Sequence, residues 1–147
     1  MLRIAISSDH AGYELKKEII SYLKEKGFDY QDFGPEKPDP VDYPDQALLV
    51  AKAVASGDFT KGIIICGTGI GISISANKVK GVRAALCGDV YSARMARAHN
   101  DANVLALGAR VVGVGLALAI VEAFLGGEFL GGRHQQRVEK IMALENS

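Results

Sequence analysis

"IIICGTGIGIS", residues 63–73, passes from four unbroken apolar residues into three glycines placed at every second position. A short apolar run bounded by glycine is the pattern of a strand buried on both faces, as in a parallel sheet, and the residues after the turn open a helix. Outward from this stretch, β-rich runs at 2–7, 28–33, 62–66, 83–87 and 103–107 alternate with longer helical ones. Helices are expected at 12–26, 44–56, 70–79, 89–98, 112–125 and 134–145. The first places Leu15, Ile19, Ile20 and Leu23 among lysines and glutamates, and Gly27 stops it. Alternating strands and helices imply a five-stranded parallel sheet covered on both faces, a doubly wound, Rossmann-like α/β fold.

A chain of 147 residues fits one domain, 1–147, and leaves no room for a second substrate domain. Apolar residues make up 48% and charged residues 23%, the balance of a globular chain rather than a disordered one. Seventeen basic residues offset seventeen acidic ones, so no bulk field favours nucleic acid or an anionic membrane. The longest apolar tract, between Arg110 and Glu122, is shorter than the roughly 18 residues a membrane span needs, and the first residues lack a signal peptide's apolar run. A cytoplasmic protein is expected, with Cys66 and Cys87 as free thiols. All four prolines, at 35, 38, 40 and 44, fall in "GPEKPDPVDYP", one long irregular loop of the kind that borders sites. Residues 111–121 have no charged face, which fits either a subunit interface or a central packing helix.

In open α/β sheets, ligands bind beyond the carboxyl ends of the strands, and Cys66 stands at such an end with Gly67, Thr68, Gly69 and Gly71 directly after it. Glycines let backbone N–H groups face a bound oxygen, and the following helix adds its positive end. The turn therefore reads as an anion hole. The same positive end favours a thiolate, which makes Cys66 a candidate base or nucleophile. Two other readings stay open: a small core cysteine beside a tight turn, and a dinucleotide fingerprint with Asp89 about 20 residues on. Against the second, the spacing is GxGxG and the turn follows the third strand; no GxxxxGK[ST] occurs.

Ser8, Asp9 and His10 form another cluster at a strand's carboxyl end. His99, Asn100 and Asp101 precede the fifth strand, where such a triplet is equally a helix cap or turn. Three histidines without HxxxH spacing, and cysteines without CxxC, argue against a metal site. Arg133 and Arg137, four residues apart, share one helix face and suit either a phosphate group or surface acids, with Arg110 a third candidate. Aromatic residues do not interleave with these arginines, which weakens a nucleic-acid reading.

Together, "SSDHAGYELK" (7–16), "DYPDQA" (42–47), "IIICGTGIGISISANKVKGVRAAL" (63–86), "ARAHNDANVLALGARVVG" (96–113) and "GGRHQQRV" (131–138) closely resemble the type B ribose-5-phosphate isomerases. That family also contains allose-6-phosphate isomerase and the subunits of galactose-6-phosphate isomerase, which are the alternative activities. The resemblance implies a three-layer αβα sandwich that interconverts ribose 5-phosphate and ribulose 5-phosphate without metal or organic cofactor. It implies Cys66 as the base that moves a proton between C2 and C1, in the cysteine-using branch of the family. Thr68 and the backbone of Gly67, Gly69 and Gly71 would hold the oxyanion, and Asp9 would handle sugar hydroxyls. His99 matches a residue linked with ring opening, Asn100 one that contacts substrate hydroxyls, and Tyr43 a loop residue beside the sugar. His10, Arg110, Arg133 and Arg137 match the phosphate-binding set. The resemblance further implies a homodimer or dimer of dimers whose site is shared between subunits, with the C-terminal helix at the interface.

Overall fold

All five expected strands form: β1 (Arg3–Ser8), β2 (Asp29–Asp32), β3 (Lys61–Cys66), β4 (Ala84–Leu86) and β5 (Val104–Gly108). Between and after them run α1 (Tyr13–Glu25), α2 (Tyr43–Ala55), α3 (Ile70–Ala76), α4 (Val90–Ala98), α5 (Val114–Leu125) and α6 (Arg133–Ala143), with a short 3-10 turn at Leu144–Asn146. The computed structural model describes residues 2–147. All strand pairings are parallel, in the order β2-β1-β3-β5-β4.

Alternation along the strands separates two cores. Ile63 and Ile65 of β3, with Ile4, Ile6, Leu105 and Leu107, meet Leu15, Ile19 and Leu23 of α1, Ala93 of α4, and Ile120 and Phe124 of α5. Ile64 and Cys66 face the other way, onto Ala47, Val50 and Val54 of α2 and Ile72 and Ala76 of α3. The isoleucines of β3 are wholly buried, each worth roughly 1.5–3 kcal/mol of apolar burial. The chain is thus a Rossmann-like αβα sandwich with β3 central and α6 outside both cores, where only Val138 is buried.

Two expectations need correction. Residues 77–79 are not helical: both amide atoms of the Asn77 side chain bond the peptide of Ala84, with Nδ2 donating to its carbonyl at 3.0 Å and Oδ1 accepting its N–H at 2.8 Å. That exchange ends α3 and leads the chain into β4. The next helix starts at Val114 rather than residue 112, because the N–H groups of Val111 and Val112 both turn back to the carbonyl of Gly108. In the 111–121 segment Val111, Val114 and Leu116 lie exposed on the single chain, whereas Ala117, Ile120 and Val121 are buried. Among the described residues no helix is long and apolar enough to cross a membrane.

The order of strands reverses between β1 and β3, whose successors lie on opposite sides of the sheet. Such a switch point leaves a crevice at the carboxyl ends of the two strands. Backbones crowd there. Gly69 has φ +79°, and a Cβ on it would lie 2.8 Å from the carbonyl carbon of Leu107; a Cβ on Gly12 would lie 2.6 Å from the carbonyl oxygen of Ile65. Gly69→Ala should therefore cost about 2 kcal/mol or more of unfolding free energy. Gly115→Ala, in a helix and with open space around it, should instead stabilise by about 0.5 kcal/mol. Urea unfolding of the two variants measures both values.

Candidate active site

The crevice collects one group of the expected residues. Asp9, just past β1, donates its N–H to the carbonyl of Ile65 at 3.1 Å, which holds it beside the end of β3. Its buried carboxylate accepts the N–H of Gly12 at 3.0 Å, so its orientation is set before any ligand arrives. Cys66 is 4% exposed, and its sulfur accepts the N–H of Gly69 at 3.1 Å. An amide donor aimed at the sulfur stabilises negative charge there. Thr68 is exposed and its hydroxyl accepts the N–H of Ile70 at 3.1 Å. Gly69, expected among the oxyanion donors, thus has its N–H turned to the thiol in this structure.

Arg110 reaches over the turn: its N–H donates to the carbonyl of Gly67 at 3.0 Å, and its guanidinium lies 3.5 Å from where a Cβ on Gly67 would stand. The ring of Tyr43 lies against Gly71, 2.5 Å from a Cβ there, so a glycine is needed for the tyrosine to close on the helix start. Exposed His10 accepts the N–H of Val41 on Nδ1 at 3.3 Å, which ties the proline loop to the same rim. Asp9, His10, Tyr43, Cys66 to Gly71 and Arg110 therefore share the carboxyl edge of the sheet. The other thiol is no base candidate, because burial first and Asp89 second push Cys87 up to about 11.

A second group lies elsewhere. His99 closes α4, and α4 leads into the start of β5, so His99 and Asn100 sit at the sheet's amino edge. Arg133 and Arg137 join them, because the N–H of Leu130 donates to the carbonyl of Ala98 at 3.0 Å and His134 stacks on His99 with centroids 4.1 Å apart. The five residues of β5 put roughly 15 Å of strand between this edge and Arg110. A single chain consequently does not bring its His99, Asn100, Arg133 and Arg137 to its own Cys66. Among the described residues no group of three or more His, Cys, Asp or Glu could hold a metal ion.

Sequence reasoning overlooked several contributors. Gly108 is one: a Cβ there would lie 2.4 Å from the carbonyl oxygen of Thr68, so the active turn passes over β5 only because this residue is glycine. Arg83 and Arg97, which hold the already noted Asp101, are others. The Arg83 guanidinium donates to the carbonyls of Asn100 and Asp101 at 2.7–3.2 Å, and Arg97 donates to the carboxylate of Asp101 at 2.8 Å. The glycine in "LALGAR" and the four-residue spacing of Arg97 and Asp101 were visible signals; the Arg83 contacts join segments 17–18 positions apart and left none.

A doubly wound α/β fold with a thiol, a carboxylate and an arginine at its switch point defines a small-ligand enzyme rather than a binding scaffold for macromolecules. The family model described as Ribose/Galactose Isomerase matches residues 4–141, and the chain belongs to that family. Over 145 residues it is 54% identical to ribose-5-phosphate isomerase B of Escherichia coli K12, covering 99% of this chain and 97% of that protein. It is 50% identical over 143 residues to a D-erythrulose-4-phosphate isomerase of Pectobacterium atrosepticum, covering 96% of this chain and 93% of that protein. The solved structure of Clostridium thermocellum ribose-5-phosphate isomerase B is 58% identical, with a TM-score of 0.97 and coverage of 99% and 98% of the two chains.

The amino-edge group carries a pH signature. His134 is held below the ordinary 6.5 by loss of solvent first and then by the positive charges of His99, Arg133 and Arg137. The unfolded chain therefore binds this proton more readily than the folded one, so the contribution to stability is complete above about pH 6.5 and is lost as pH falls through the lower folded value. His134→Phe should shrink the fall in urea midpoint between pH 7 and pH 5 relative to wild type. An equal fall in both proteins would show that His134 does not carry it.

Proposed function

We propose that this protein interconverts ribose 5-phosphate and ribulose 5-phosphate, as a cytoplasmic homodimer or dimer of dimers that needs no metal or organic cofactor. The observation that carries the reading is the Cys66 sulfur at the switch point, with the N–H of Gly69 on it and Asp9 and Arg110 alongside. The full-length likeness to ribose-5-phosphate isomerases supports the choice of sugar.

The chemistry follows from what each group can do. In the furanose form C1 carries no carbonyl, so a proton on C2 is not acidic. On this reading His99 gives a proton to the ring oxygen as the anomeric hydroxyl loses its own, and the bond from C1 to the ring oxygen breaks to leave the aldehyde. The Cys66 thiolate then removes the C2 proton, and the electron pair moves through C2 and C1 onto O1. The N–H groups of Gly67 and Gly71 and the hydroxyl of Thr68 stabilise that oxyanion, the step for which preorganised donors are worth most, while the Gly69 N–H stays on the sulfur. Returning the sulfur's proton to C1 while the O2 proton passes to O1, with Asp9 relaying it, yields the ketose. Tyr43 closes one side of the sugar and Asn100 binds a hydroxyl. His10, Arg110, Arg133 and Arg137 hold the phosphate, far from the bonds that change.

Because the two groups lie on opposite edges, a second copy would supply His99, Asn100, Arg133 and Arg137 to each Cys66. Exposed Ile70, Leu86 and Val111 rim a cavity of about 330 Å³ beside Thr68, an apolar landing next to the turn that suits such a neighbour. The little-buried helix α6, with Ile141 exposed, is the second surface we assign to that contact. A four-carbon substrate is the alternative that the D-erythrulose-4-phosphate isomerase favours, since a relative 50% identical over nearly the whole chain carries that name.

Cys66→Ala should lower turnover of ribose 5-phosphate by about two to four orders of magnitude, with chelator present and with substrate still bound in a calorimetric titration. A variant keeping most of its rate would place the base elsewhere. If sites are shared, Cys66→Ala and His99→Gln subunits, dissociated and reassembled in equal amounts, should regain about a quarter of the wild-type rate, because half the dimers then hold one intact site. No recovery on mixing would argue for sites built within one chain.

A further inference from the structure

His134 has no role in the scheme above, yet its ring stacks on one of the groups that scheme uses, His99. Its ring lies face to face with that of His99, with centroids 4.1 Å apart and planes 11° from parallel. The contact is built by several independent features. Gly131 and Gly132 take φ +67° and +57°, a sharp double turn open to glycine but costly for other residues, and it starts α6 directly over the end of α4. The N–H of His134 donates to the carbonyl of Gly131 at 3.0 Å, and that of Leu130 docks the segment onto Ala98.

The backbone of His99 is already held. Its N–H donates to the carbonyl of Met95 at 2.8 Å, and two residues on the chain turns at Asp101, whose φ of +47° is positive without glycine. That strained corner is clamped by Arg97, which donates to the Asp101 carboxylate and to the carbonyl of Ala102, and by Arg83 on the carbonyls of Asn100 and Asp101. With the main chain fixed, the side-chain torsions are the freedom His99 retains. A ring stacked face to face removes it. Such a stack fixes the plane of the imidazole while leaving its edges, where both nitrogens lie, uncovered by the neighbouring ring.

We infer that His134 is a positioning residue for ring opening: it sets the plane of His99 so that one ring nitrogen is aimed at the sugar's ring oxygen before substrate binds. The inference rests on the ring-opening role proposed for His99. Its physical basis is preorganisation, since a proton donor free to rotate spends most of its time outside the narrow range of angles that transfers a proton. A phenyl ring at 134 would preserve the stack; a methyl group would abolish it.

The test uses ribose 5-phosphate with hydrogen or deuterium at C2, turned over by the full-length wild type, His134→Ala, His134→Phe and His99→Gln, with thermal unfolding of each. Proton abstraction at C2 breaks the labelled bond, whereas ring opening does not. His134→Ala should lose roughly tenfold or more in kcat, keep a folded transition, and show an isotope effect near one because ring opening now limits the rate. His134→Phe should return to within about twofold of wild type. An unchanged kcat in His134→Ala overturns the inference. So does a loss accompanied by a full isotope effect, which would locate the damage in proton transfer, and so does a Phe variant as slow as the Ala variant, which would make the imidazole itself necessary. His99→Gln separates the two levels. If it loses rate with a full isotope effect, the ring-opening role of His99 fails; if it behaves as expected and His134→Ala does not, only the role of His134 fails.

Discussion

Backbone meets backbone at the carboxyl end of β3, and everything functional in the crevice depends on that contact. Gly69 lies against the peptide between Leu107 and Gly108, Gly108 lies against the carbonyl of Thr68, and Gly12 lies against the carbonyl of Ile65. Three elements thereby converge within the space one Cβ would occupy. The convergence turns the Gly69 N–H onto the Cys66 sulfur and keeps Asp9 next to the end of β3. A bulkier residue at any of these positions would part the turn from the strands, and the thiol would lose its donor.

The same sheet that gathers one group of candidate residues separates it from the other. Parallel strands send every connection back across the full height of the sheet, so residues that precede β5 and residues that follow it stand at opposite edges. His99 and Arg110 are only 11 positions apart in the chain, yet the strand between them keeps them apart in space. On the shared-site reading proposed above, a rotation of a second identical chain would bring the two groups together, each copy offering the group the other lacks. Ile70, Leu86 and Val111 lie exposed beside Thr68, an apolar rim next to the turn.

Much of this was legible in the residues. Unbroken Ile63 to Ile65 announced a strand buried on both faces, and the glycines after it announced a turn with exposed amides. Helix ends were read within a few residues wherever glycine or proline marks them, as at Gly27 and Pro44. Where a side chain reached across the fold the reading failed: Asn77 ends α3 by bonding Ala84, which no local pattern foretells. The apolar segment 111–121 fitted either an interface or a central packing helix, because composition counts apolar residues without saying which neighbours are present; on the single chain Val111, Val114 and Leu116 are open.

By itself, the sequence determined the α/β alternation, the thiol at a strand's carboxyl end, the glycine turn and the identity of most candidate site residues, because these follow from local periodicity, local conformational freedom and the resemblance of contiguous motifs. Tertiary structure alone decided which of those residues meet. It set β3 between β1 and β5, put Asp9 and Arg110 beside Cys66, carried His99 to the far edge and laid His134 on its ring. The physical reason is that strand order and helix return direction are collective results of packing two cores at once, while each motif records only the few residues around itself.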